Sequence, residues 1–164
     1  MKKIKLTAEE KKTFIDYMLN NEELEKAIQK GNKGEPLYQI SILYSIISRC
    51  KYDAGLIIAV KSSEIPVGID NIELYTELTK HCEMHCAAMD DGTKYVMAFT
   101  SKSRFLDDLS GVVIPIDVFI GMMCLKKDEV DGIVINWGKE EIIIKMQTLE
   151  FLYNCIRELY PEPK

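Results

Sequence analysis

The dipeptide Asp91-Gly92, set between two runs rich in apolar and aromatic residues, constrains this chain more than any other stretch. A two-residue hairpin turn needs positive φ at both central positions, and Asp-Gly is among the pairs that supply it. The spacing therefore predicts a hairpin with Ala88 facing Tyr95, Cys86 facing Met97 and Met84 facing Phe99. Opposed residues of an antiparallel pair share a face. One face would then hold Met84, Cys86, Ala88, Tyr95, Met97 and Phe99. The other would hold His81, Glu83, His85, Ala87, Val96, Ala98 and Thr100. A one-residue slip would mix the two sets, so the apolar pattern is expected to hold the register.

The flanks read as helices first and strands later. Thr7 and Glu10 have the spacing of a capping box, and Phe14, Ile15, Met18 and Leu19 come after it at helical spacing. Asn21 opens a second helix with Leu24, Ala27 and Ile28 on one face and Gly31 as its stop. A third runs from Glu35-Pro36 to about Arg49. Its apolar positions (Leu37, Ile40, Leu43, Tyr44 and Ile47, with Ile42 and Ile46 beside them) cover so much of the circumference that it is expected to be largely buried. The run Ala54 to Val60 suits a strand covered on both faces. Further strands are expected at Val112–Ile116, Gly132–Ile135 and Glu141–Lys145. Helices are expected after Ser101 and Asp117 as N-caps, and from Thr148 to Tyr160. Within residues 62–80, Ile72 to Leu78 fits either a short helix or a surface strand. The sum is one α+β domain over residues 1–164: a mixed or mostly antiparallel sheet of about five or six strands with flanking helices.

Composition excludes several classes. An apolar content of 47% with 29% charged residues is that of a globular chain. A net charge of −5 argues against a nucleic-acid partner, since Lys and Arg drive phosphate binding. No apolar run is long enough to span a bilayer, and the basic start MKKIKLTAEEKK has no apolar segment behind it. Five scattered cysteines, Cys50, Cys82, Cys86, Cys124 and Cys155, fit a reducing cytoplasm with cysteine as a small hydrophobe. The chain is expected to be cytoplasmic, with neither membrane nor nucleic acid as partner.

His81-Cys82-Glu83-Met84-His85-Cys86 packs four good metal ligands into six residues. On a strand the histidines and the cysteines point to opposite faces. On a helix the four spread over about 140°, too wide for one tetrahedral ion. A Cys82–Cys86 disulfide fails as well, because four strand residues span roughly 13 Å against a limit of ~7 Å. A His81/His85 pair contributing to a shared interface site is what remains. For nucleophilic catalysis, Cys86 points away from His85, and Thr100 and Ser101 read as helix caps. Neither glycine-rich phosphate-loop spacing occurs.

Four segments, in order, resemble one family. They are Asn21-Glu22-Glu23-Leu24-Glu25-Lys26-Ala27-Ile28; the strand Leu56 to Val60; Asp91-Gly92 leading to Phe99-Thr100-Ser101; and Gly132-Ile133-Val134-Ile135-Asn136 with a strand and helix behind it. Over roughly residues 20–153 the chain resembles the N-terminal domain of the SseB-like bacterial proteins. Where that family commonly reads Asn-Pro, this chain has Asn136-Trp137, so the rigid turn that proline sets is absent. The resemblance implies an α+β fold and a bacterial cytoplasmic location, and it implies no particular reaction.

These readings lead to a non-enzymatic protein- or peptide-binding module, with self-association left open. Phe99, Thr100, Ser101, Asn136 and Trp137 are its expected binding residues, Trp137 on a polar loop where it is either exposed or folded back onto the domain, and no cofactor is expected. The alternative is a small-molecule-binding or metal-dependent enzyme with its site near Thr100, Ser101 and Asn136. A deep pocket lined by polar groups there would favour the enzyme. A flat apolar patch beside Trp137 would favour the binding module.

Overall fold

The computed structural model describes residues 6–33, 38–51, 54–76, 82–138 and 140–161. It has five helices and a mixed sheet of eight strands, three of them only two or three residues long. Helices α1 (Ala8–Met18), α2 (Glu22–Asn32) and α3 (Tyr38–Cys50) come first. After them come β1 (Gly55–Lys61), β2 (Glu73–Leu74), β3 (Glu83–Met84), β4 (Cys86–Ala88), β5 (Lys94–Phe99) and β6 (Ser110–Pro115). The chain closes with α4 (Ile116–Cys124), β7 (Gly132–Ile135), β8 (Ile142–Lys145) and α5 (Met146–Leu159). The α+β expectation holds. The strand count exceeds five or six because Glu73–Leu74 pairs in parallel with β6 and because the first hairpin arm is split in two. No helix among the described residues is long and apolar enough to cross a membrane.

The strands run β2-β6-β1-β5-β7-β8 across the sheet, with β1 antiparallel to both β6 and β5, and β5 parallel to β7. One face carries Leu56, Ile58, Val60, Val96, Ala98, Ile133 and Ile135, packed under α2, α3, α4 and α5. The other carries Ile57, Ala59, Tyr95, Met97, Phe99 and Val134, and α1 is the helix that lies on it. Both faces of β1 and β5 are therefore covered, which explains why their sequences run nearly unbroken in apolar residues. Phe105 and Phe99 pack edge to face on the α1 side with centroids 5.2 Å apart.

The hairpin register differs from the sequence expectation. Cys86 pairs with Val96, Ala87 with Tyr95 and Ala88 with Lys94, one residue away from the predicted pairing. The turn is a three-residue loop, Asp90-Asp91-Gly92. Met89 N–H bonds Thr93 C=O at 2.8 Å, and Gly92 takes the left-handed position at φ 87°. Tyr95, Met97 and Phe99 thus lie with Ala87 on the α1 side, opposite Met84 and Cys86. The apolar pattern could not hold the expected register because Val96 and Ala98, assigned to the mixed face, are as buried as their neighbours. A slip that exchanges two buried faces carries no hydrophobic penalty.

The first arm is also not continuous. Its start pairs with the end of β1 (Val60 with Met84), and its end pairs with the start of β5. His85 is the crossing point: its N–H bonds Ala59 C=O at 2.8 Å and its C=O accepts Met97 N–H at 3.1 Å. The arm wedges between β1 and β5 where these two strands diverge.

Local signals fare unevenly. Thr7 accepts from Glu10 N–H at 3.1 Å, as its capping spacing predicts. Ser101 caps no α-helix: residues Lys102–Arg104 form a single 3₁₀ turn, and the Ser101 hydroxyl lies 3.0 Å from that of Ser103. Asp117 falls inside the first turn of α4 instead of capping it. Helix α3 buries Ile42 and Ile46 but turns Ile40 and Tyr44 outward, so it is amphipathic and not largely buried. It lies in the outer layer of the domain, where one face of a helix must meet solvent.

Candidate functional site

The parallel strands β5 and β7 end side by side, and the residue after each is polar: Thr100 after Phe99 and Asn136 after Ile135. Polar groups at the carboxyl ends of neighbouring parallel strands are a frequent setting for binding sites. Here they form a closed network. Thr100 N–H donates to Asn136 Oδ1 at 3.0 Å, and Asn136 Nδ2 donates to Thr100 Oγ1 at 3.1 Å. The Thr100 hydroxyl donates to Glu25 Oε1 of α2 at 2.6 Å, a short charge-assisted bond. Asn21, just before α2, donates to Thr100 C=O at 2.9 Å and to Gly55 C=O at 2.8 Å, tying the start of β1 to the same point.

Backbone geometry explains why these side chains fit. Asn136 sits at φ 60°, a left-handed conformation that asparagine tolerates better than most side chains, while its N–H bonds Ala98 C=O at 2.8 Å. Asn21, Thr100 and Asn136 are 2%, 0% and 2% exposed. Such burial demands partners for the polar atoms, and the cluster supplies nearly all of them. Asn21 Oδ1 alone in this cluster has none among the described protein groups.

Of the five expected binding residues, the structure brings Thr100 and Asn136 into direct contact. Phe99 is wholly buried in the core beneath them. Ser101 is half-buried at the surface. Trp137 is half-buried too, and not on a fully exposed loop: its indole packs against the cluster that holds Tyr95, Met97 and Phe99. Sequence reading missed Asn21 and Glu25 as partners of this network. Their signal was present, since both lie in the Asn21–Ile28 segment, but i to i+4 spacing at a helix start reads equally as capping and solvation.

The rim of the network is charged. Lys102 pairs with Asp16 of α1 at 2.9 Å, and Arg104 pairs with Glu140 at 3.2 Å. Neither of two nearby surface openings is lined by Thr100 or Asn136. One of about 420 Å³ runs between α1 and residues 66–73, with Lys11, Lys12, Asp70, Asn71, Glu73 and Lys102 among its lining. A shallow depression on α1 is lined by Leu6, Phe14 and Tyr17, the last two 51% and 64% exposed.

Among the described residues, no group of three or more His, Cys, Asp or Glu side chains could hold an ion. His81 lies outside the described residues. Cys82 and Cys86 pack, partly buried, against the helical side of the sheet. The thiol of Cys50 bonds Ile46 C=O at 3.3 Å. Burial first, and Asp117 second, push its pKa up to about 12 from an ordinary 9.0. Burial also raises Cys86 and Cys124. A nucleophilic cysteine needs the opposite shift. Cys50 is therefore expected to resist iodoacetamide at pH 8 in the folded protein, well after the half-buried Cys155 has reacted, and to react at once in denaturant. Its thiol is more acidic unfolded than folded. This contribution to stability is complete below pH 9 and is lost as pH rises toward about 12. Mass-spectrometric alkylation footprinting, with unfolding curves at alkaline pH, checks both statements.

The fold and cluster define an α+β domain with a mixed sheet whose strand-end polar residues are joined to one another. No family model, curated protein or solved structure matches the chain.

Proposed function

We propose that this chain is an SseB-like domain acting as a non-enzymatic protein- or peptide-binding module. The observation that carries the reading is the closure of the Thr100–Asn136 network. An enzyme site needs polar groups that converge on an open pocket where a substrate atom can sit. Here Thr100, Asn136 and Glu25 converge on one another, and the hydroxyl proton of Thr100 is already given to Glu25. Three of the four segments that carry the family resemblance meet in this network, through Asn21, Thr100 and Asn136. Their common role is to lock the ends of β1, β5 and β7 together.

What remains accessible around the lock suits a macromolecular partner. Trp137 presents part of an indole at the rim, the kind of side chain enriched at interfaces. Phe14 and Tyr17 face solvent on α1, the helix that the Asp16–Lys102 pair ties to residues 101–104. A bacterial cytoplasmic setting belongs to the same proposal.

The test is affinity capture from the native host with wild type, Trp137→Ala and the pair Phe14→Ala/Tyr17→Ala. Circular dichroism confirms that each variant is folded. At least one captured protein should fall tenfold or more with Trp137→Ala, since truncating an anchor residue costs about 2 kcal/mol or more. Recovery of the same proteins in the same amounts from all three would remove both surfaces as anchors.

A further inference from the structure

Strand β8 ends the sheet, and among the described residues no strand pairs with its outer edge. Along an antiparallel strand, alternate residues turn N–H and C=O toward one neighbour. Met146 N–H bonds Asp131 C=O at 2.8 Å on the β7 side, so Ile144 and Ile142 share that direction. The backbone groups of Ile143, the N–H of Lys145 and, at the threshold, the groups of Glu141 point outward, while the C=O of Lys145 belongs to the first turn of α5. The edge sequence is Glu141-Ile142-Ile143-Ile144-Lys145, with Ile143 41% exposed. It contains no proline, and its central three residues carry no charge. Edges are usually guarded against pairing by one of these devices.

The geometry points to a second copy of this chain as the occupant, its β8 pairing antiparallel with this one about a two-fold axis through Ile143. One feature, the charge pairing, selects that register, and the backbone and the helical face are compatible with it. The outward groups of Ile143 then meet those of Ile143 in the second copy, as a hydrogen-bonded pair requires. Glu141 of each copy stands opposite Lys145 of the other, on the same face as Ile143, giving two symmetry-related opposite-charge pairs. Ile142 stands opposite Ile144 on the helical face. There a groove of about 310 Å³, lined by Gln39, Ile42, Leu43, Ile144 and Thr148, runs beside the strand. Shifting the register by two residues keeps the backbone bonds possible but sets Glu141 or Lys145 against Ile143. The charges are then unpaired.

Within one copy Glu141 accepts a 3.3 Å bond from Gly138 N–H, and Lys145, which makes no ion pair among the described residues, acts at longer range on Asp91, whose carboxyl, bonded by Thr93, it helps to hold below its ordinary pKa. Addition of one strand to another is a general mode of recognition in which main-chain bonds supply affinity and side chains set the register. A self-complementary edge turns that mode into a homodimer.

Sedimentation velocity at up to about 0.2 mM, a concentration that fills a micromolar dimer, tests this. Wild type should be dimeric, and Ile143→Lys, which sets two like charges face to face, should be monomeric. Glu141→Lys and Lys145→Glu should each raise the dissociation constant by about tenfold or more, as two pairs turn from attraction to repulsion. The double variant Glu141→Lys/Lys145→Glu should restore it. All of these positions are at the surface, and circular dichroism shows whether each variant is folded. A wild type that stays monomeric at that concentration, whatever else it binds, overturns the proposal. So does a dimer that survives Ile143→Lys, or a double variant no better than the single ones.

Discussion

Replacing Gly132 with alanine is expected to destabilise the protein by about 4 kcal/mol, because the added methyl meets backbone at a positive φ. Gly132 opens β7 at φ 151°, a conformation that side chains rarely adopt. A Cβ there would run into the carbonyl oxygen of Ile144 and come within 2.9 Å of Lys145 Cα, both on the adjoining strand. The obstruction is backbone, so no rotamer change relieves it. Either β7 and β8 separate or the start of β7 rebuilds. Gly92 provides the comparison: it too has positive φ, at 87°, but nothing lies within 4 Å of its added Cβ. Gly92→Ala should therefore cost only the conformational part, about 1 kcal/mol. Urea unfolding of the two variants reads the difference directly. Equal losses would mean that the β7–β8 contact yields easily and that φ alone decides.

Asn136→Ala is expected to cost about 3 kcal/mol. It removes the acceptor of the buried Thr100 N–H and the donor to Thr100 Oγ1, and an unpaired buried group costs about 1–3 kcal/mol. It also forces alanine to φ 60°, which adds about 1 kcal/mol. For a chain of this size that is a fall in Tm of roughly 6–12 °C. Asn136→Gly separates the two causes, since glycine accepts the backbone angle while losing the same hydrogen bonds. It should recover about 1 kcal/mol of the loss and no more. If Asn136→Ala unfolds like wild type, the strand-end network contributes nothing, and the reading of it as a lock fails with it.

These two positions are the first and last residues of the Gly132–Asn136 segment, and they show what kind of information the sequence carried. Both residue types answer a backbone requirement, extended positive φ at one end and left-handed φ at the other. Both were visible as an isolated glycine and an isolated asparagine bounding three aliphatic residues. Which neighbour each one meets was not visible. Gly132 abuts β8, thirteen residues away, and Asn136 meets Thr100 and, through it, Glu25 of α2.

The same division runs through the candidate site. Phe99, Thr100, Ser101, Asn136 and Trp137 were singled out by their position at strand ends, and the strand ends were right. Their accessibility was not legible, because a hydroxyl or amide looks the same in a sequence whether water or another side chain satisfies it. The hairpin register failed for a related reason. Period-two patterning fixes a register only where one face is polar, and the cover that buries both faces of β5 comes from helices far along the chain.

The chain by itself determined most of its element types, its principal strand ends and several of its chain reversals, because capping, alternation and positive-φ requirements are local. Only the tertiary structure decided which strands are neighbours, which register they take and which polar groups are used up internally. Those depend on contacts between residues dozens of positions apart. The opening dipeptide marks the boundary well: Asp91-Gly92 lies in the hairpin turn it announces, while the length of the loop and the faces of both arms were settled by what packs on them.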